Sequence, residues 1–122
     1  MKPDFVTHFR EGIAHFNDAE FWEAHESWEA LWLVAESDVE QFLQGLIQVA
    51  AAYHHVKRGT YRGAVRLFEA GLRRLEPFPP GFCGLDRAEV EAAARRDRDR
   101  IESVAAFPKL IEIEIAPPSD DW

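Results

Sequence analysis

Phe21-Trp22-Glu23-Ala24-His25-Glu26-Ser27-Trp28-Glu29-Ala30-Leu31-Trp32 carries two helical stripes side by side. Phe21, Ala24, Trp28, Leu31 and, just beyond, Ala35 recur at steps of three and four residues and make an apolar face that needs a core. Beside it runs Trp22, His25, Glu29 and Trp32, at spacings of three, four and three. A strand would scatter each set over both of its faces, whereas a helix gathers each onto one. The segment therefore reads as an amphipathic helix with one wall for packing and a second wall that is aromatic and titratable.

Working outward, the neighbouring segments are helical too. A first helix opens after Pro3 with Phe5, Phe9, Ile13 and Phe16 on one stripe, and Asn17-Asp18 breaks it. Asp18 is the expected N-cap of the quoted helix, which should end near Glu36. Ser37, with Glu40 three residues on, reads as a capping box for a third helix. That helix continues through Phe42, Leu46, Val49, Ala50 and Tyr53 to Gly59, a natural left-handed stop. A fourth starts at Thr60 and carries Tyr61, Ala64, Val65, Phe68 and Leu72, before Pro77, Pro79 and Pro80 forbid helix. Asp86 is the expected cap of a fifth helix, Arg87 to about Val104. Its Arg95-Arg96-Asp97-Arg98-Asp99-Arg100 run reads as a solvated face with local ion pairs. Leu110-Ile111-Glu112-Ile113-Glu114-Ile115 alternates apolar and acidic, the strand period, until Pro117-Pro118. A lone strand among helices has no obvious internal partner, so an extended tail docked across a helical groove is expected rather than pairing with a second copy.

An internal echo recurs at an offset of 40 residues: His15 with His55, Phe21 with Tyr61, Ala24 with Ala64, Trp28 with Phe68, Trp32 with Leu72. Each half is then a helical hairpin of tetratricopeptide-like form. Two units are few for a solenoid. The expected fold is all-α: a compact bundle of two hairpins closed by the fifth helix, one domain over residues 1–104, with residues 105–122 as an extended tail.

The 122 residues suit a single core. Their 47% hydrophobic and 30% charged content is ordinary for a globular domain and implies neither disorder nor a membrane protein. No apolar run reaches the ~18–20 residues of a membrane span, and Met1-Lys2-Pro3-Asp4-Phe5 lacks a signal-peptide layout. Cys83 is the single cysteine, so no intrachain disulfide forms and cysteine-rich zinc motifs are excluded; a cytoplasmic location is expected. The net charge of -8 disfavours nucleic acid as a partner. That charge is uneven. Residues 1–40 hold ten acids against Lys2 and Arg10, while residues 57–76 hold six Lys and Arg against Glu69 and Glu76. Such asymmetry reads as solvated helix faces or as a basis for homo-oligomer formation.

His25 and Glu29, one helical turn apart, project from the same face and can share a divalent metal ion or form an acid–base pair. The third helix offers a complementary polar stripe, Gln41, Gln44, Gln48 and His55, at spacings of three, four and seven. Packed together, the two stripes would make a His/Glu site between the second and third helices: His25, Glu29 and His55 as metal ligands, Trp22, Trp32, Gln44 and Gln48 as ligand-binding walls. The same residues also admit a purely structural reading, in which a satisfied polar network fixes the packing of a noncatalytic interaction or self-association module. The zincin pattern is unmet because position 29 is Glu rather than His, and the Glu-x-x-His pairs of di-iron bundles are unmet because Trp22 precedes His25 by three. Cys83, between Phe82 and Gly84, has no nearby base and reads as inert. No phosphate loop, nucleophile elbow or dinucleotide fingerprint is present, and the sequence leaves open whether the chain is an enzyme.

Two blocks together resemble a known family. Phe16-Asn17, Phe21-Trp22-Glu23-Ala24-His25-Glu26, Glu29 and Trp32 form the first. Phe42-Leu43-Gln44-Gly45-Leu46-Ile47-Gln48, Ala51-Ala52, His55, Gly59 and Gly63-Ala64 form the second. They look like the bacterial and archaeal family catalogued as domain of unknown function 309, over roughly residues 5–76. The resemblance implies a small helical domain whose signature of His, Glu and an aromatic, here His25, Glu29 and Trp32, is associated with metal binding. It implies no substrate, and it does not reach the segment after Pro77.

Overall fold

The computed structural model describes residues 2–122. Five helices follow in order: α1 (Phe5–Asn17), α2 (Phe21–Trp32), α3 (Ser37–Arg58), α4 (Tyr61–Leu75) and α5 (Ala88–Asp99). Each of the first four packs on its successor, and α5 closes against α4. The apolar stripes meet in one core: Phe5, Phe9, Ile13 and Phe16 from α1, Phe21, Ala24, Trp28 and Leu31 from α2, and Phe42, Leu46, Val49 and Tyr53 from α3, with Ala64, Phe68 and Leu72 of α4. Trp28 is fully buried, and its indole donates to the Phe9 carbonyl at 3.2 Å. α3 and α4 approach closely at Gly45 and Gly71, where a Cβ on Gly71 would lie 2.9 Å from the Gly45 carbonyl oxygen.

The 40-residue echo extends into the hairpin turns. Glu20 N–H donates to His15 C=O (2.8 Å) and Ala19 N–H to Phe16 C=O (2.9 Å); forty residues on, Thr60 N–H donates to His55 C=O (3.0 Å) and Gly59 N–H to Val56 C=O (3.1 Å). Both are Schellman closures, which need a left-handed residue at the fifth position. Gly59 supplies it at φ +76°, and Ala19 is forced to φ +59°. The imidazoles repeat as well: His15 Nδ1 sits 2.9 Å from Glu20 Oε1, and His55 Nδ1 2.6 Å from Thr60 Oγ1.

Several helix boundaries differ from those read in the sequence. α2 ends at Trp32 rather than near Glu36, and its N-cap is Glu20, with no side-chain cap, rather than Asp18. Asp18 is instead the C-cap of α1, where its N–H bonds the Ala14 carbonyl at 3.1 Å and it leads into the Schellman turn. The Ser37–Glu40 capping box does not form: Ser37 lies at φ +52° inside the first turn, and no side-chain cap bond is made. α5 stops at Asp99, with a 3-10 turn at Ile101–Ser103, although Asp86 does accept from Ala88 N–H (3.0 Å). The charged run on α5 is not wholly solvated. Asp97 is buried and accepts the Tyr53 hydroxyl at 2.7 Å, while Arg96–Asp97 and Arg98–Asp99 form the local pairs expected.

The tail has an internal partner after all. Leu85–Asp86 (β1) pairs antiparallel with Ile111–Glu112 (β2), a two-residue bridge extended by Ile113 N–H on Gly84 C=O at 2.8 Å. The Asn17 amide grips Leu110 from both sides, donating to its carbonyl (2.9 Å) and accepting its N–H (2.7 Å). The tail therefore lies extended along α1 while bonding the loop before α5. Arg87 holds the proline connector through the carbonyls of Leu75, Phe78 and Pro79.

Candidate functional site

The second wall of α2 does not face water freely. Its first turn lies beside the last turn of α3, because the two helices run antiparallel from the short link at 33–36. Trp22 is 47% exposed, yet its ring stacks on His25 (centroids 4.6 Å apart) and leans on His54 (5.1 Å). One turn deeper, His25 Nε2 sits 3.2 Å from Glu29 Oε2. His25 Nδ1 and Trp32 Nε1 are buried with no hydrogen-bond partner among the described residues. A cleft of about 480 Å³ opens at the mouth of this seam, lined by Trp22, His54, His55, Arg58 and Thr60. A second, of about 400 Å³, adjoins it on the other side of Trp22, His54 and Arg58, and adds Ala19, Glu20, Glu23 and Lys57.

The protonation pattern follows from the contacts. Burial lowers the His54 pKa below the ordinary imidazole value; Arg58, His55 and Lys57 lower it further, and only Glu23 opposes them. His54 is thus held neutral at physiological pH. The Thr60 hydroxyl lies 2.6 Å from His55 Nδ1 and 3.2 Å from the His55 carbonyl, so the turn pins the ring through Nδ1. Gly63 lies beneath this ring, where an added Cβ would stand 3.7 Å from Nδ1.

The structure regroups the residues singled out in the sequence. Trp22, His25 and Glu29 stand together, and His55 joins Trp22 at the cleft rather than the His25–Glu29 pair. Among the described residues no three His, Cys, Asp or Glu side chains gather closely enough to hold a metal ion. The glutamine stripe faces the opposite way from that expected: Gln48 accepts from Arg74 Nε at 3.1 Å and Gln41 from its Nη1, so these amides join α3 to α4. Gln44 is half-buried and makes no side-chain hydrogen bond among the described residues, and Trp32 packs partly buried against the core. His54, Arg58 and Thr60 were not among the expected site residues. The available signal was the i, i+4 placement of His54 and Arg58 at a helix end, followed by a Gly-Thr turn.

The family model described as Domain of unknown function (DUF309) matches residues 9–67, the stretch that contains both walls of this seam. The crystal structure of a conserved hypothetical protein, TTHA0068, from Thermus thermophilus is 31% identical and superposes with a TM-score of 0.67, the match covering 81% of this chain and 99% of that one. The chain belongs to the DUF309 family. No curated protein matches it. Within this DUF309 chain the matched residues end inside α4, so α5 and the docked tail lie beyond the family model while still packing on its core. Among the described residues no helix is long and apolar enough to cross a membrane.

Proposed function

We propose that this DUF309 domain is a small-ligand-binding module whose site is the cleft at the mouth of the α2–α3 seam. The observation that carries the reading is Trp22. A tryptophan nearly half exposed, stacked on one imidazole and leaning on another above a concave, mixed apolar and polar wall, is the arrangement by which small-molecule sites combine apolar contact with a few orienting groups. His25, itself paired with Glu29, is the floor on which the indole rests, and its buried Nδ1 has no hydrogen-bond partner among the described residues.

The test is an NMR screen of the intact protein against a mixed small-fragment set. Shifts are expected at the Trp22 indole and at the His54 and His55 rings, with loss of those shifts in Trp22→Ala. Fragments that bind elsewhere, or none that bind at the seam, would sink the reading.

A divalent ion is the second reading, favoured by one distance. Two donors at about 2.1 Å from one ion stand roughly 2.9–3.4 Å apart at octahedral or tetrahedral angles, and His25 Nε2 and Glu29 Oε2 are 3.2 Å apart. The pair fits two coordination positions; water or the ligand's own atoms would have to fill the others. Zinc or manganese titration followed by calorimetry tests this, and equal heats in wild type and Glu29→Gln would remove it.

A further inference from the structure

Arg58 sits at the last position of α3, exposed, on the wall of the cleft. Four arginines elsewhere have carboxylate partners, Arg10 with Glu112, Arg87 with Glu91, Arg96 with Asp97 and Arg98 with Asp99, and Arg74 is held by Gln41 and Gln48. Arg58 makes no ion pair or hydrogen bond among the described residues, in a chain whose net charge is -8. Among the described residues no acid lines the Trp22–His54–His55–Arg58–Thr60 cleft. In the adjoining cleft Lys57 is committed to the Ala19 carbonyl (2.9 Å) and Glu20 to His15 (2.9 Å), which leaves Glu23 as the acid facing His54 from α2. A free guanidinium beside a half-exposed indole is thus set in a locally positive hollow on an acidic protein.

We propose that the cleft takes a small planar anion, its flat apolar ring against Trp22 and its carboxylate or phosphate oxygens on the Arg58 guanidinium. The inference rests on the ligand-binding reading and adds the chemical class. Arg58 is suited to the anionic end because its planar fork pairs with two oxygens of one group and keeps its charge at any working pH. His55, pinned at Nδ1 by Thr60, adds a polar ring to the cleft wall beside the anionic end. His54 is the sensor: burial first, then Arg58 and Lys57, hold its pKa down, and an anion beside the ring answers the cationic part, so binding raises that pKa and draws a proton onto the ring. Affinity therefore increases as pH falls through the His54 titration.

Four probes separate the terms, read by NMR titration of the full chain: 2-naphthoate, 2-naphthyl phosphate, the neutral 2-naphthylmethanol, and inorganic phosphate. Both aromatic anions are expected to saturate with shifts at Trp22 and His54, whichever source of charge the natural ligand uses. The neutral ring, which loses the charge-assisted contact with Arg58, and the ring-free phosphate, which loses the apolar contact with Trp22, should each bind at least about tenfold more weakly. Arg58→Ala should weaken the anions about tenfold and leave the neutral ring unchanged, with Arg58→Lys intermediate. Trp22→Ala should weaken every ring-bearing probe. Arg58 is exposed at a helix end, so an unchanged spectrum elsewhere verifies that the variant folds. The His54 pKa, followed through its ring protons, should rise on binding. Equal affinity for the neutral ring, or no effect of Arg58→Ala, overturns the anion assignment and leaves the ligand-binding reading standing. Silence of both anions at the cleft while neutral fragments bind does the same, whereas a cleft silent to every fragment fails both.

Discussion

Removing one oxygen from the core tests how the fifth helix is held. Tyr53 is fully buried, and its hydroxyl donates to Asp97 Oδ2 at 2.7 Å across the α3–α5 contact. Its ring packs edge-on against Phe68 (centroids 4.8 Å) and stacks on Phe21 (5.3 Å), contacts that phenylalanine keeps. Tyr53→Phe therefore changes little but the hydrogen bond. Asp97 is only 4% exposed, and its other oxygen has Arg96 Nε at 3.3 Å from a side chain that is 60% exposed, a pair weakened by solvent. Loss of a hydrogen bond to a buried charged acceptor costs about 1.5–3 kcal/mol. For a domain of this size each kcal/mol lowers Tm by roughly 4 °C, so a drop of about 6–12 °C is expected in thermal unfolding followed by circular dichroism. Adding Asp97→Ala to Tyr53→Phe should cost less than the sum of the single changes, because the acceptor that was stranded is gone. A single-variant drop under about 2 °C, or strict additivity, would refute the reasoning. Alkaline pH gives an independent reading. Burial first, then the Asp97 bond, hold the Tyr53 hydroxyl far above the ordinary tyrosine pKa. Below about pH 10 both folded and unfolded chains keep that proton; above it only the unfolded chain releases it, so stability falls progressively from there. Tyr53→Phe should flatten that limb.

Other consequences follow from the packing. Ala19 holds a left-handed backbone that its repeat partner Gly59 adopts without a Cβ, so Ala19→Gly should stabilise the fold by roughly 1 kcal/mol in urea unfolding. Gly71→Ala drives a methyl to 2.9 Å from the Gly45 carbonyl and 2.8 Å from Val49 Cγ2, and should lower stability by about 1–3 kcal/mol. In the same helix Gly63→Ala meets only the His55 ring at 3.7 Å, so helix propensity should make it neutral or up to about 1 kcal/mol stabilising, and a large loss would contradict the placement of that ring. Burial pushes the Cys83 thiol up to about 12, with Arg87 opposing; its reaction with an aromatic disulfide reagent at pH 8 should be slower than that of a free thiol by tenfold or more in native protein and normal in denaturant.

The helices, their apolar faces and the two-hairpin plan were legible because they depend on spacing, and a stripe such as Phe5-Phe9-Ile13-Phe16 has one way to be buried. The repeat was legible too, as was Gly59 as a stop. The caps at Asp18 and Ser37 misled, because a capping side chain competes with backbone closure, and at Asp18 the Schellman turn of α1 took the residue. Asp97 was misread for a related reason: a charge in a charged run looks solvated until a partner as distant in sequence as Tyr53 arrives to satisfy it.

The sequence by itself determined that Trp22, His25 and Glu29 share one wall of α2, since that follows from helical period alone. What that wall meets was decided only in three dimensions. The azimuth of α3 is fixed by where its broad apolar face packs, and that choice turns Gln41 and Gln48 toward Arg74 while bringing His54, His55 and Arg58 to Trp22. The Thr60 turn then pins one of these histidines by its Nδ1. A helix with apolar residues on several sides does not announce which of its polar stripes faces which neighbour, and the packing of α3 between α2 and α4 settles it.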